Sequence, residues 1–222
     1  ASDAMQVHLQ LNTPGGIEHR HLDAGSFQVW RKGRWLSRES VGYSDTIAGL
    51  AGVGDVMSED PLAHNTLMFE GRTTGIWVGS GPRVIPPGAP REDCPDGLPQ
   101  VVRLQHEADF AFVAADYSAA YRNHDGPRVD WPYADRAVRE FLFVRPLQAL
   151  VILDRMRASG DSLLPFYNSA DWLLTGPHVG AAQVRRTFAM HFETAPSVAG
   201  ARATAVNGTQ TTHLQAVLDL AA

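Results

Sequence analysis

Short stretches of alternating apolar and polar residues, separated by glycine, proline, asparagine and aspartate, make up most of this sequence. Alternation over a few residues is typical of half-buried β-strands. Turn residues that recur about every ten residues are typical of β-sandwiches and barrels. We expect an apolar strand within residues 1–16. The further predicted strands are Gly25–Arg31, Arg34–Ser37, Asn65–Glu70, Thr74–Gly79, Val101–Gln105, Asp109–Tyr117, Val138–Val144, Ala149–Asp154, Val184–Phe192, Ala201–Val206 and Thr212–Leu218.

The turns and loops between these strands are also marked in the sequence. Lys32-Gly33 separates two predicted strands, and this spacing predicts a β-hairpin. Helix signals are confined to Ser44–Ala51 and Ser118–Arg122, each long enough for a turn or two. Ile85–Pro99 holds five of the 14 prolines, so we expect an irregular loop there. Asn123–Asp135 is predicted to be a second long loop.

The composition favours a single all-β domain. Of the 222 residues, 44% are hydrophobic, which is enough for a sizeable core, and 19% are charged. The charged fraction lies below the ~25% of an average domain and argues against disorder. A single sandwich of this length is normal. We therefore predict one domain over residues 1–222, a large antiparallel β-sandwich with two long loops and little helix.

Charge and cysteine content argue against several classes of protein. The net charge is −5, from 19 basic and 24 acidic residues, whereas a nucleic-acid binder usually has a basic excess. Cys94 is the one cysteine, so an internal disulfide is impossible. The sequence holds no apolar run of about 18 residues, so we expect no membrane-spanning helix. It opens with no secretory leader, so an export signal would lie outside this segment.

The densest polar segment precedes the first predicted hairpin and reads EHRHLDAGSF, from Glu18 to Phe27. Two histidines separated by one residue point to the same side of an extended backbone. His19 and His21 therefore either share a metal ion or divide metal binding and substrate contact between them. The alternative is a pair of exposed histidines on a strand edge.

A further histidine, His64, lies at the start of an apolar strand, where an imidazole needs a polar partner. Zinc accepts histidine and carboxylate ligands together, with water as a fourth ligand. A carboxylate would complete a three-ligand site with the histidines. Spacing leaves four candidates for it: Asp23, Glu39, Asp45 and Asp55.

Two segments resemble a known family. His19–Tyr43 (HRHLDAGSFQVWRKGRWLSRESVGY) and Ala63–Gly71 (AHNTLMFEG) are similar to the C-terminal β-sheet domain, a supersandwich, of heparinase II/III-like polysaccharide lyases. The later segments Asp109–Tyr121, Val138–Met156 and Arg186–Pro196 are similar to the strand pattern of that domain. The resemblance covers most of the chain.

The resemblance implies roles for the matching residues. His19 would face the substrate and help in catalysis, while His21, Glu39 and His64 would hold a structural metal ion, usually zinc. The spacing before Glu39 is one residue longer here than in the family pattern, so Asp23 or Asp45 stays an alternative third ligand.

The resemblance also implies supporting residues. Asn65 would orient the loop that carries His64. Arg20, between the two histidines, would contact a uronate carboxylate or a sulfate of the substrate. A solvated loop arginine is the alternative for Arg20.

Lyases of this family cleave uronate-containing chains, such as heparin or heparan-type glycosaminoglycans and alginate, by β-elimination. A tyrosine and a histidine from an N-terminal helical toroid supply most of the acid–base chemistry. No such toroid is encoded in these 222 residues. The resemblance therefore implies the β-sheet domain of a larger periplasmic or secreted enzyme, nearly inactive by itself.

Other functions remain open at this stage. The chain is alternatively a non-catalytic carbohydrate-binding or structural sandwich, or part of a uronate C5-epimerase, which abstracts the same proton. A zinc hydrolase built on His21, Glu39 and His64 ranks last, because the sequence has no H-E-x-x-H motif.

Several other polar residues are predicted to be structural. His191 lies in an apolar strand and is expected to be a hydrogen-bonded core histidine. Four charged residues flank predicted buried strands and are expected to form structural ion pairs: Arg139, Glu140, Arg145 and Asp154. We nominate none of the five tyrosines as a catalytic base, because core or strand-edge tyrosines are the common case.

Overall fold

The structure is a computed structural model that describes residues 4–11, 23–38, 46–47, 56–57, 63–70, 99–118, 121–123, 131–132, 134–158, 167–168, 173–174 and 185–217. No α-helix occurs among these residues. The strands are β1 (Met5–Leu9), β2 (Phe27–Arg31), β3 (Arg34–Ser37), β4 (Thr46–Ile47), β5 (Val56–Met57), β6 (Leu67–Glu70), β7 (Gln100–His106), β8 (Phe110–Asp116), β9 (Arg122–Asn123), β10 (Trp131–Pro132), β11 (Ala134–Val144), β12 (Ala149–Ala158), β13 (Tyr167–Asn168), β14 (Leu173–Leu174), β15 (Arg185–Phe188), β16 (Ser197–Ala199), β17 (Arg202–Asn207) and β18 (Gln210–Gln215).

Three antiparallel sheets of three or more strands organise the described chain. The orders are β1-β2-β3, β12-β11-β8-β7 and β16-β17-β18, and β6 forms a separate antiparallel pair with β15. The all-β antiparallel architecture that the alternating pattern predicted is confirmed. Consecutive strands are mostly neighbours, because hairpins need only short connections.

The β2–β3 hairpin forms as the sequence predicted. Lys32 and Gly33 both have positive φ, 49° and 79°, between the paired residues Arg31 and Arg34. Two central residues with positive φ are what a type I′ turn requires, and its twist matches that of the flanking strands.

The three-stranded β1-β2-β3 sheet packs against the four-stranded sheet through its apolar face. Phe27 of β2 meets Phe141 of β11 edge to face, with ring centroids 5.8 Å apart. Val29 and Leu36 join these rings in one cluster, with Ile152 of β12 at its margin. The alternation of strand side chains places one face of each sheet in this core.

A second apolar cluster lies further along the inner face of the four-stranded sheet. Its buried members are Ala24, Leu67, Ala115, Tyr117, Tyr121, Ala134, Ala137 and Ala158. On β11, Ala137 belongs to this cluster and Phe141 to the other, so Arg139 lies between the two on the same face. The inner face of β11 therefore carries a buried charge at the junction of two apolar regions.

Two predictions for local structure were wrong in part. Thr46–Ile47, within the predicted helical segment Ser44–Ala51, forms a strand paired with Val56–Met57. The predicted loop Asn123–Asp135 contains a second short pairing, β9 with β10, and its last residues belong to β11. A strand of two residues is too short to show an alternating pattern in the sequence. Whether it pairs depends on which segments the fold brings together. None of the described residues belongs to a helix long and apolar enough to cross a membrane.

Candidate functional site

The HNT motif, His64-Asn65-Thr66, is buried just before β6. His64 is 1% exposed, and both nitrogens of its imidazole ring are buried. Asn65 and Thr66 are completely buried, and Ala63 and Leu67 on either side are buried as well. Five consecutive buried residues that include three polar ones require a dense set of internal hydrogen bonds.

Asn65 supplies many of these bonds and ties several elements together. Its side-chain nitrogen donates to the Phe27 carbonyl (2.6 Å) and the Ser37 hydroxyl (2.9 Å), while its Oδ1 accepts from the His191 N–H (2.6 Å). Its backbone N–H donates to the Ser26 hydroxyl (3.2 Å). The residue beside His64 is thus fixed to the β2–β3 hairpin and to the segment after β15.

Ser37 closes this network on the far side. Its hydroxyl donates to the His191 carbonyl (2.7 Å) while accepting from Asn65. The backbone of His191 is therefore held through both its N–H and its C=O. His191 was predicted to be a core histidine within a strand, but it lies beyond the end of β15 and is half-buried. These bonds involve its backbone, so a hydrogen-bonded side chain stays a prediction.

The turn before β2 is the second structured part of the region. Gly25 has a φ of +82°, and a Cβ at this position would lie 3.4 Å from the ring of Tyr117. The Ser26 N–H donates to the Asp23 carbonyl (2.8 Å), and the Gly25 N–H donates to the Gln10 carbonyl (3.1 Å). Glycine suits this turn because it accepts positive φ and lets the backbone lie close to the tyrosine.

Arg139 of β11 joins this turn to the HNT motif. Its Nη1 donates both to the Gly25 carbonyl (2.6 Å) and to the Asn65 carbonyl (2.8 Å). Its Nε and Nη2 donate to the two carboxylate oxygens of Asp154, at 2.7 and 3.1 Å. Three rings surround the guanidinium carbon within 6 Å, those of Phe27, Phe141 and Phe188. Arg139 and Asp154 were each expected to form a structural ion pair, and the structure shows that they pair with each other.

The other charged residues flagged with Arg139 lie away from this region. Glu140 pairs with Arg155 at 3.1 Å on the exposed side of the sheet. Arg145 donates to backbone carbonyls at the β7–β8 turn, including that of Phe110 at 2.6 Å. These contacts brace strands and do not reach the HNT motif.

Two tyrosines near the guanidinium are buried, and burial raises the pKa of each phenol. Burial raises the pKa of Tyr117 to about 12, although the positive charge of Arg139 opposes the shift. Burial raises the pKa of Tyr121 further still, and its hydroxyl donates to the Leu67 carbonyl at 2.8 Å. A phenol with a raised pKa cannot act as a base near neutral pH. Both side chains are parts of the core.

The structure describes part of the predicted site. His64 is the predicted metal ligand that it describes, and Asp23, one of the alternative carboxylates, is buried at 4% exposure in the turn before β2. The remaining predicted site residues lie outside the described residues: His19, Arg20, His21, Glu39, Asp45 and Asp55. Among the residues that are described, no group of three or more histidine, cysteine, aspartate or glutamate side chains forms a metal-binding cluster.

The sequence alone gave no reason to expect Arg139, Ser26 or Ser37 in contact with the HNT motif. The one available signal was an arginine inside the apolar segment VREFLFV, since a charge there must be paired when buried. Its backbone partners depend on two loops that are distant in sequence, and no spacing rule reveals them.

Comparisons with known proteins give limited matches. No family model and no curated protein matches this sequence. Ten chains of solved structures match its fold. One of them, a heparinase III gene product, is a distant structural neighbour with a TM-score of 0.43 and 18% sequence identity. The match covers 71% of this chain, and the chain spans about a fifth (19%) of the length of that protein.

Proposed function

We propose that this chain is the β-sheet domain of a polysaccharide lyase that cleaves uronate-containing acidic polysaccharides by β-elimination. The observation that carries the proposal is the junction of the two motifs that resemble heparinase II/III-like lyases. Asn65 of the HNT motif is bonded to Ser26 and Phe27, which belong to the His19–Tyr43 segment and come five and six residues after His21. Two motifs about forty residues apart in sequence therefore meet in one buried network, as a shared site requires.

The proposed reaction sets the chemistry that the site must provide. A base removes the C5 proton next to the uronate carboxylate, a C4–C5 double bond forms, and the bond from C4 to O4 breaks as an acid protonates O4. Neutralising the carboxylate charge makes the C5 proton easier to remove. We assign His19 to the substrate side of this chemistry and Arg20 to the carboxylate or sulfate.

His64, His21 and Glu39 are the proposed zinc ligands, with Asp23 or Asp45 as the alternative to the glutamate. His64 fits such a role because a buried imidazole on a loop fixed by Asn65 is held in place before the metal binds. Zinc in this site would stabilise the loop that carries His19. A change of ligand would then lower stability and activity together.

Other parts of the proposal concern the complete protein. We propose that a helical toroid domain supplies the tyrosine and histidine of the acid–base pair, because the described tyrosines Tyr117 and Tyr121 are buried in the core. We also propose a periplasmic or secreted location, where polymeric acidic polysaccharides are accessible.

Metal content tests the proposed site directly. Purified wild-type protein should contain about one zinc ion per chain by elemental analysis, since three protein ligands with water as the fourth hold one ion. His64→Ala should lose this zinc and unfold at a lower temperature, whereas His213→Ala, a change on the exposed side of β18, should keep it. Wild-type protein that takes up no zinc in chelator-free buffer would contradict the site.

Product formation tests the activity. The complete protein should release unsaturated oligosaccharides, seen by the ultraviolet absorbance of their double bond, from heparin, heparan sulfate, chondroitin sulfate, hyaluronan or alginate. His19→Ala should abolish this release. Exchange of the C5 proton without an unsaturated product would point to epimerisation, and binding without either reaction would point to a carbohydrate-binding domain.

A further inference from the structure

Arg139 is the largest side chain that is completely buried in the described part of the chain. Removing a guanidinium from water is costly unless its N–H groups find acceptors. Here four donor contacts are made, two to Asp154 and two to backbone carbonyls. The charge is balanced by one carboxylate, and the remaining donors are directed at the backbone of two loops.

The ion pair alone does not explain this arrangement. Arg139 and Asp154 are directly opposite on β11 and β12, and ten residue pairs already connect these two strands. A further link between the same strands adds little. The ion pair orients the guanidinium so that its Nη1 donates to two carbonyl oxygens, those of Gly25 (2.6 Å) and Asn65 (2.8 Å).

These two carbonyls belong to the loops of the candidate site. Gly25 comes four residues after His21, and Asn65 is the immediate neighbour of His64. A planar guanidinium can hold a carboxylate on one edge and carbonyls at another, whereas the ammonium of lysine is a single point charge. Arginine at this position therefore fixes the distance between the two carbonyls.

We propose that Arg139, oriented by Asp154, is a positioning residue that holds the turn before β2 and the loop of the HNT motif at a fixed separation. This inference rests on the proposed function, because it assigns the pair a role within the same site. Arg139 contacts neither substrate nor metal in this proposal, and it acts through the backbone of Gly25 and Asn65.

Arg139→Lys tests the proposal, because it keeps the positive charge and removes the planar guanidinium with its several N–H donors. The matched control is Arg155→Lys, whose partner Glu140 joins the same two strands on the exposed side. Phe141→Leu serves as a second control, since it loosens the same core without changing a donor. Each full-chain variant is measured for folding by circular dichroism, for zinc affinity, and for the visible spectrum of bound cobalt, which reports ligand geometry.

We expect Arg139→Lys to remain folded, to bind zinc at least about tenfold more weakly than Arg155→Lys, and to show an altered cobalt spectrum. Phe141→Leu, even if it is as destabilised as Arg139→Lys, should keep the wild-type zinc affinity and cobalt spectrum. Should Arg139→Lys not fold, Asp154→Asn provides the comparison, with a weaker loss of the same sign. Zinc affinity within about twofold of the controls and an unchanged cobalt spectrum would overturn the inference and leave the proposed function standing.

A wild-type protein without metal would refute the proposed zinc site and not the inference. In that case the amide chemical shifts of the two loops decide. Arg139→Lys should shift the amide signals of Gly25, Ser26, Asn65 and Thr66 together, while Arg155→Lys should not. Signal changes limited to one of these two segments would contradict the inference that Arg139 holds them together.

Discussion

The side chain of Asn65 makes three hydrogen bonds, to β2, to β3 and to the segment after β15. Both N–H groups of its amide donate, and its oxygen accepts from the His191 backbone. An amide that is fully paired in the interior strengthens the structure modestly, but the loss of it leaves partners buried and unpaired. The residue is therefore far more sensitive to substitution than a typical polar residue.

We predict that Asn65→Ala lowers the free energy of unfolding by about 3 kcal/mol or more, because the Phe27 carbonyl and the His191 N–H lose their partner. Asn207→Ala is the control. Its amide donates to the Trp35 carbonyl in a partly buried setting, and its loss should cost about 1 kcal/mol. Urea denaturation of both variants measures the difference, and equal losses would contradict the importance of the Asn65 network.

At the scale of elements, glycine turns determine where strands reverse and how sheets meet. The β17–β18 turn contains Gly208, whose φ is +62°. This turn lies against β3, where Asn207 donates to the Trp35 carbonyl and accepts from Arg34. The β16-β17-β18 sheet is thus joined to the β1-β2-β3 sheet at one hairpin end.

We predict that Gly208→Ala destabilises the protein more than Gly200→Ala does. Both glycines have positive φ, which costs an alanine about 1 kcal/mol. A Cβ at Gly200 meets nothing within 4 Å, whereas at Gly208 it would lie 2.6 Å from Arg34 Nε. Thermal denaturation should show the excess for Gly208→Ala, and an Arg34→Ala background should remove it. Persistence of the excess in that background would show that the cause lies elsewhere.

The whole molecule depends on contact between layers. Phe27 of the three-stranded sheet is 1% exposed and meets Phe141 of the four-stranded sheet, Phe188 of β15 and the Arg139 guanidinium. One ring on β2 therefore contacts two further β elements, β11 and β15. Loss of it affects the packing of the layers as well as the stability of one strand.

We predict that Phe27→Ala costs about 3–5 kcal/mol and lowers the single unfolding transition as a whole. Phe112→Ala is the control, because that ring is half-buried on β8 beside Arg103 and makes its contact at the surface. It should cost clearly less. Calorimetry checks both values, and a second, separate transition in Phe27→Ala would show that the sheets fold independently.

Part of the fold could be predicted from the sequence, and long strands were predicted better than short ones. The strands β8, β11 and β12 are seven or more residues long, and each was found. The predictions still missed the first four residues of β11 and the last four of β12. The prediction for Val184–Phe192 was too long, because the strand ends at Phe188. Beyond it the His191 N–H bonds to the Asn65 side chain instead of a neighbouring strand. A side chain distant in sequence ended the strand.

In the candidate site, too, the sequence revealed the motif but not the distant residues that contact it. The sequence identified His64 and Asn65 through a motif. The guanidinium of Arg139 connects this motif to the turn at Gly25 by contacts between residues 74 and 114 positions apart. By itself, the sequence determined the all-β class, the β2–β3 hairpin and the need for a partner wherever a polar group is buried, because these follow from local periodicity and turn chemistry. Only the tertiary structure decided which partners those groups have, because burial in a packed interior satisfies each donor with whichever acceptor the fold brings within reach.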